Sequence, residues 1–219
     1  MFAAIDYAVI ARALPLLWQG MLFTLQLTAL AICGGVFFGT LLALMRLSPF
    51  RAVSFSAASY VNFFRSLPLI LVIFWFYFLV PKFLGRPVGG FHSVLMAFIM
   101  FEAAYYCEII RAGIQSVTRA QVHAGYALGL TYGQTMRLII LPQAFRNMLP
   151  VILTQSIIMF QDTSLVYVVG LKDFLTTADL VANRDNRPVE LFVFAALIYL
   201  VICLAGSTAA RRLQRKYAI

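Results

Sequence analysis

Three carboxylates stand in stretches that carry almost no other charge: Glu102, Glu108 and Asp162. An acid at the centre of a membrane-length apolar segment costs about 2.5–3.5 kcal/mol on insertion scales, so each is a candidate functional group by default. Tyr105 and Tyr106 follow Glu102 by three and four residues, the spacing that shares a helix face. A carboxylate beside two phenols could receive an ammonium group; the competing reading is a protonated or hydrogen-bonded structural acid. Glu108 has Arg111 three residues on, a pair suited to neutralise itself, to brace a neighbouring element or to touch a ligand. Asp162 precedes Thr163 and Ser164, a polar triplet that could bind a ligand or pair with a base on another chain. Should the ligand be an anion, Arg65 and Arg111 are the bases able to reach inward, unless both simply mark a membrane interface.

The same residue types do not assemble into a catalytic set. No Lys follows a Gly, so the phosphate-cradling G-x-x-x-x-G-K-[ST] loop is absent. His92 and His123 fall in different regions, and no Ser/His/Asp or Cys/His group forms at one depth. Cys33, Cys107 and Cys203 sit in apolar runs without a C-x-x-C pair and read as small core residues. No metal site is expected.

The elements that must position the three acids follow from composition. Of 219 residues, 63% are apolar and 11% charged, and the mean hydropathy is +0.90. Soluble domains carry roughly 45–50% apolar and about 25% charged residues. Too little polar surface excludes an ordinary soluble domain, and the reverse imbalance needed for disorder is missing. A polytopic membrane protein remains. A span needs roughly 20 apolar residues, and the 33 uncharged residues between Arg12 and Arg46 place the first at about 14–45. The others are expected at about 56–80, 92–113, 148–170 and 189–210, the second as one helix bent at Pro68. Glu102 then lies about nine residues into span three, roughly 14 Å deep and near the midplane. Trp75, Phe76, Tyr77 and Phe78 read as an interfacial anchor, and Gly35 and Gly39 permit close helix approach. The first residues lack a basic segment and the first apolar stretch exceeds the roughly 7–15 residues of a signal core, so no cleaved signal is expected.

Charge orients the spans. Arg46, Arg51, Arg65, Arg111, Arg119, Arg137, Arg146, Arg211, Arg212, Arg215 and Lys216 fall on one side, 11 bases against 6 on the other. The six-base side also holds Asp6, Asp173, Asp179, Asp185 and Glu190. By the positive-inside rule the N-terminus is outside and the C-terminus cytoplasmic. The net charge of +9 is thereby topological, which leaves no case for nucleic acid as a partner. The expected fold is all-α: one integral membrane domain over 1–219 with five transmembrane helices and a helical cytoplasmic loop.

That loop spans 115–147, longer than the roughly 12–15 residues usual for a structureless connection. Val122, Tyr126 and Leu130, then Met136, Ile139 and Ile140, recur at helical spacing. Two short helices are expected, broken at Gly129 and Gly133, with Pro142 ending or kinking the second. No Asp or Glu occurs from Ala112 through Gln161, which suits an acidic protein partner or anionic lipid headgroups. The small residues at Ala120, Ala124, Gly125, Ala127 and Gly129 favour close packing on protein.

The order His123-Ala124-Gly125, three residues, Gly129, nine residues, Ile139, one residue, Leu141-Pro142 resembles the EAA loop of ATP-binding-cassette importer permeases. Their pattern is EAA-x3-G-x9-I-x-LP; here His123 stands for Glu and Gly125 for the second Ala. Phe64–Leu69 (FRSLPL) is similar to the FR-x-x-PL element of polar amino-acid permeases, and YYCEIIRAG at Tyr105–Gly113 and QDTSLV at Gln161–Val166 are similarly placed. Phe101–Gly113 most resembles the second permease subunit of glutamate/aspartate importers.

The resemblance implies half of a type I importer in the bacterial inner membrane, without catalysis of its own. A sister permease subunit would complete the channel. A cytoplasmic ATPase dimer would bind ATP and Mg and supply the power, and a periplasmic binding protein would deliver the amino acid. The EAA loop would dock on the ATPase through His123, Ala124, Gly125, Leu128, Gly129, Leu141 and Pro142, flanked by Arg119 and Arg137. His123 would add a group that titrates near neutral pH in place of the usual acid. The substrate-pathway candidates are Glu102, Tyr105, Tyr106, Glu108, Arg111, Asp162, Thr163, Ser164 and Arg65. The other class to weigh is an ion-coupled carrier using Glu102 and Asp162, which the lack of internal repeats in five spans disfavours.

Overall fold

The computed structural model describes residues 7–217, and every regular element among them is a helix. Asp6, counted above among the outer acids, lies outside the described residues. Helix α1 (Tyr7–Arg46) is 40 residues long and exceeds the expected first span at both ends. Its buried side is a stripe of small residues, including Ala31, Gly35, Gly39 and Ala43. Along this stripe lies α4 (Gly90–Gln115), the third span and the most enclosed of the membrane-length helices. A Cβ at Gly39 would stand 2.7 Å from Tyr106 Cβ and 3.0 Å from the Ala103 carbonyl oxygen; one at Gly35 would stand 2.8 Å from Glu102 Cβ. The two glycines therefore seat α1 on a helix of its own chain, and they do so opposite the acid of interest.

The second span is not one bent helix. Helices α2 (Arg51–Arg65) and α3 (Leu69–Leu84) meet at 104°. Pro68 is extended, with φ −63° and ψ 134°, and lacks the amide that would continue the helix. Proline also disfavours helix at the residue before it, so the break is complete where a bend was expected. The aromatic run Trp75–Leu79 forms a π-helical turn inside α3, which ends at Gly85 in the left-handed region, φ +64°.

The loop between spans three and four also differs from expectation. Helix α5 (Arg119–Ala127) is separate, but the next helix does not stop before the fourth span. Helix α6 runs over Tyr132–Val169, with a π-helical turn at Met136–Ile140 and a 3-10 stretch at Thr163–Val169. Pro142 lies two residues past the π segment, inside this continuous helix, so it does not end it. Gly133 lies inside α6; the break falls at residues 128–131.

A further helix, α7 (Phe174–Asp185), lies in the stretch between the expected fourth and fifth spans. Asp173 caps it, its carboxylate accepting from the Leu175 and Thr176 amides at 3.0 Å. Thr24 Oγ1 on α1 accepts the Phe174 amide at 3.0 Å, and Phe174, Ala178 and Val181 join the α1 core, so α7 is fastened down. Helix α8 (Pro188–Tyr217) closes the bundle. Among the cysteines only Cys107 is a buried core residue; Cys203 is half-buried and Cys33 is exposed on α1.

Candidate functional site

Glu102 is 0% exposed. Gln155 Nε2 on α6 donates to both its carboxylate oxygens, at 3.1 and 3.2 Å. One turn along α4, the Tyr106 hydroxyl meets Ser156 Oγ at 3.2 Å. Neighbouring positions on α6 thus hold neighbouring turns of α4, with Gly35 and Gly39 of α1 behind them. An acid deep in an apolar bundle persists when its lone pairs are occupied and its backbone neighbours approach closely. Tyr105 is not part of this group. It turns toward α2, against the Phe101 ring at 5.0 Å between centroids, with the Arg65 guanidinium carbon 5.4 Å from its ring centre.

Glu108 gathers more than its expected partner. Arg111 Nη2 lies 2.7 Å from Oε2, as the spacing anticipates. Arg46, at the end of α1, also binds Glu108, and Arg65, at the end of α2, approaches Oε2 to 3.9 Å. Three helices are thereby pinned to one carboxylate. Arg46 and Gln155 are the residues that sequence reasoning passed over. Arg46 read as a span boundary; Gln155 is seven residues before Asp162, a helical same-face spacing that singles it out only once Glu102 is known to face α6.

Asp162 is half-buried at the last α-helical turn of α6, and Thr163 behind it is fully buried, its hydroxyl donating to the Phe160 carbonyl at 2.6 Å. Ser164 is half-buried beside them. This triplet lies two turns beyond Gln155, so it stays separate from the Glu108 cluster.

At the far end, α5 ends in a Schellman motif. The Leu130 amide donates to the Gly125 carbonyl at 3.1 Å and the Gly129 amide to Tyr126 at 2.9 Å, with Gly129 at φ +77°. Gly125 is buried, a Cβ there being 2.9 Å from Ile139 Cδ1 and 3.0 Å from Thr135 Cγ2. The Thr131 side chain and Gln134 form a capping box that starts α6. Val122 and Met136 rest on a small core of Val117, Ile140 and Ala144. Apart from Val122 and Gly125, α5 is exposed along its length, His123 and Ala124 included, as are Leu128 just past its end, at 79%, and Arg137. Leu141 and Pro142 are exposed beside them.

Residues 35–219 match the family described as the binding-protein-dependent transport system inner membrane component. The chain belongs to this family. The permease is 50% identical over 220 residues to the glutamate/aspartate import permease protein GltK of Escherichia coli O6:H1, covering 97% of this chain and 98% of that one. To the arginine transport system permease protein ArtQ of Bacillus subtilis it is 32% identical, covering 97% of each. A crystal structure of an amino acid ABC transporter superposes with a TM-score of 0.91 at 32% identity, covering 98% of this chain and 100% of that chain. The protein is therefore a permease subunit of an inner-membrane ATP-binding-cassette importer of amino acids. That membership sets aside the ion-coupled carrier, and it implies an ATPase and a substrate-binding protein as partners.

Proposed function

We propose that this permease carries acidic amino acids, glutamate and aspartate, as one half of a permease heterodimer. The observation that carries the substrate reading is the 50% identity to a glutamate/aspartate import permease along nearly the whole of both chains. The N-terminus is periplasmic and the C-terminus cytoplasmic, a reading supported by the 11-to-6 division of bases. Helix α5 sits in a groove of the ATPase, which binds ATP and Mg and performs the hydrolysis. In support, His123, Ala124 and Leu128 are exposed on a helix packed closely from behind at Gly125. Glu102, Tyr106 and Asp162 lie along the substrate's route, the first two held closed by Gln155 and Ser156. Thr163 and Ser164 shape the far end of that route.

Uptake competition on the reconstituted complex tests the substrate. Unlabelled glutamate and aspartate should displace labelled glutamate, while glutamine and arginine should not. Equal displacement by all four would overturn the acidic reading.

A further inference from the structure

The Glu108 cluster is not electrically balanced. Three guanidiniums, from Arg46, Arg65 and Arg111, share a single carboxylate, and the side chains are only 18–43% exposed. The surplus is two positive charges in a half-buried place. Nothing nearby in sequence offsets it, since α2 contains no acid and none occurs from Ala112 through Gln161. Excess positive charge that is only partly in water attracts an anion more strongly than the same charge fully solvated.

The hold on the three arginines is unequal. Arg46 and Arg111 bind the carboxylate directly, and Arg111 also reaches Gln115. Arg65 stands off at 3.9 Å, is the most exposed at 43%, and lies across the Tyr105 ring. Tyr105, Glu108 and Ala112 occupy positions i, i+3 and i+7, one face of α4. Glu108 and Ala112 on that face also wall a cavity of about 370 Å³ between α4 and α6, whose opposite wall includes Asn147 bonded to Ser116 at 2.8 Å. Small-molecule sites run upward from roughly 300 Å³, mostly apolar with a few placed polar groups.

We infer that this cluster is a second carboxylate station on the route, in which Arg65, backed by Arg46 and Arg111, receives a carboxylate of the passing amino acid. The cavity beside Glu108 holds the remainder of the substrate. Glu108 keeps Arg46 and Arg111 in place, and as the one charged group in the cavity wall it offers the ligand's ammonium group a counter-charge. The inference rests on the acidic amino-acid reading and deepens it by naming the group recognised and the residue that recognises it.

Labelled glutamate binding to the purified permease–ATPase complex, without binding protein, tests it. Arg65→Lys keeps the charge and loses the flat two-pronged donor, so binding should weaken roughly tenfold; Arg65→Gln should weaken it further. Glutamine and the α-amide of glutamate, as competitors, report which carboxylate is held. Melting temperature is followed in parallel. A lowered melting temperature with unchanged affinity makes Arg65 a structural brace and overturns the station, as does the absence of any amino-acid binding by the wild-type complex. A wild-type complex that binds glutamine or arginine in preference to glutamate refutes the acidic substrate instead, and Arg65→Lys measured with that amino acid still decides the station.

Discussion

Gly129 offers the sharpest perturbation of the proposed permease–ATPase joint. It sits at φ +77° one residue past the C-cap of α5, and a Cβ there would meet nothing within 4 Å. Replacing it by Ala therefore adds no clash; the whole cost is the left-handed backbone, about 1–2 kcal/mol for a residue with a Cβ. At about 1.4 kcal/mol per tenfold, this depopulates the motif that ends α5 by roughly 5–30-fold relative to its unwound alternatives. Asn tolerates the left-handed region, so Gly129→Asn should recover most of the loss. Gly133 is the internal control. It too has open space at its Cβ, but no positive φ, and it lies in a helical turn where Ala is the better residue. The assay is uptake per ATP hydrolysed in proteoliposomes containing the whole importer. Gly129→Ala should lower that ratio several-fold, Gly129→Asn only slightly, and Gly133→Ala not at all. Equal behaviour of Gly129→Ala and Gly133→Ala would refute the argument, because then the backbone conformation at 129 has no bearing on coupling.

Gly39→Leu drives a side chain into α4 at Tyr106 Cβ and the Ala103 carbonyl, backbone-bound atoms that cannot give way, so the folded yield should collapse. Gly206→Ala meets only the Ile157 side chain, Cδ1 and Cγ1 each at 3.0 Å, and should melt within a few degrees of the wild type. Glu102→Ala leaves Gln155 Nε2 without its acceptor, a loss of about 1–3 kcal/mol, so the assembled complex should melt lower and take up glutamate more weakly. Unchanged uptake affinity for every amino acid tried would remove Glu102 from the route.

The legible part of this protein is that governed by local rules. Apolar runs of membrane length, the division of bases between two sides and the amphipathic loop all depend on residues near one another in the chain, and α1, α4 and α8 fall where hydropathy places them. The acids stood out because an ionisable group is rare in such a run. Pro68 was visible too, but proline's local effect alone does not say whether the chain bends or turns through 104°; the packing of α2 across α4, with Tyr60 bonded to the Met100 carbonyl at 2.8 Å, decides that. Pro142 was visible as well, yet the helix runs on through it, with a π-helical turn just before it.

Pairings between distant positions were beyond reach. Gly35 and Gly39 announced a close contact without naming the partner, and only the fold puts α4 there, with Glu102 and Tyr106 against them. Glu102 finds Gln155 across 53 residues, and Glu108 finds Arg46 across 62. By itself, then, the sequence determined a membrane-spanning helical protein and three acids worth explaining, and its charges predict a sidedness. The tertiary structure alone decided which partners reach the acids, because an ionisable group surrounded by hydrocarbon takes its character from the groups brought against it. Glu102 meets the Gln155 amide, and Glu108 meets three arginines.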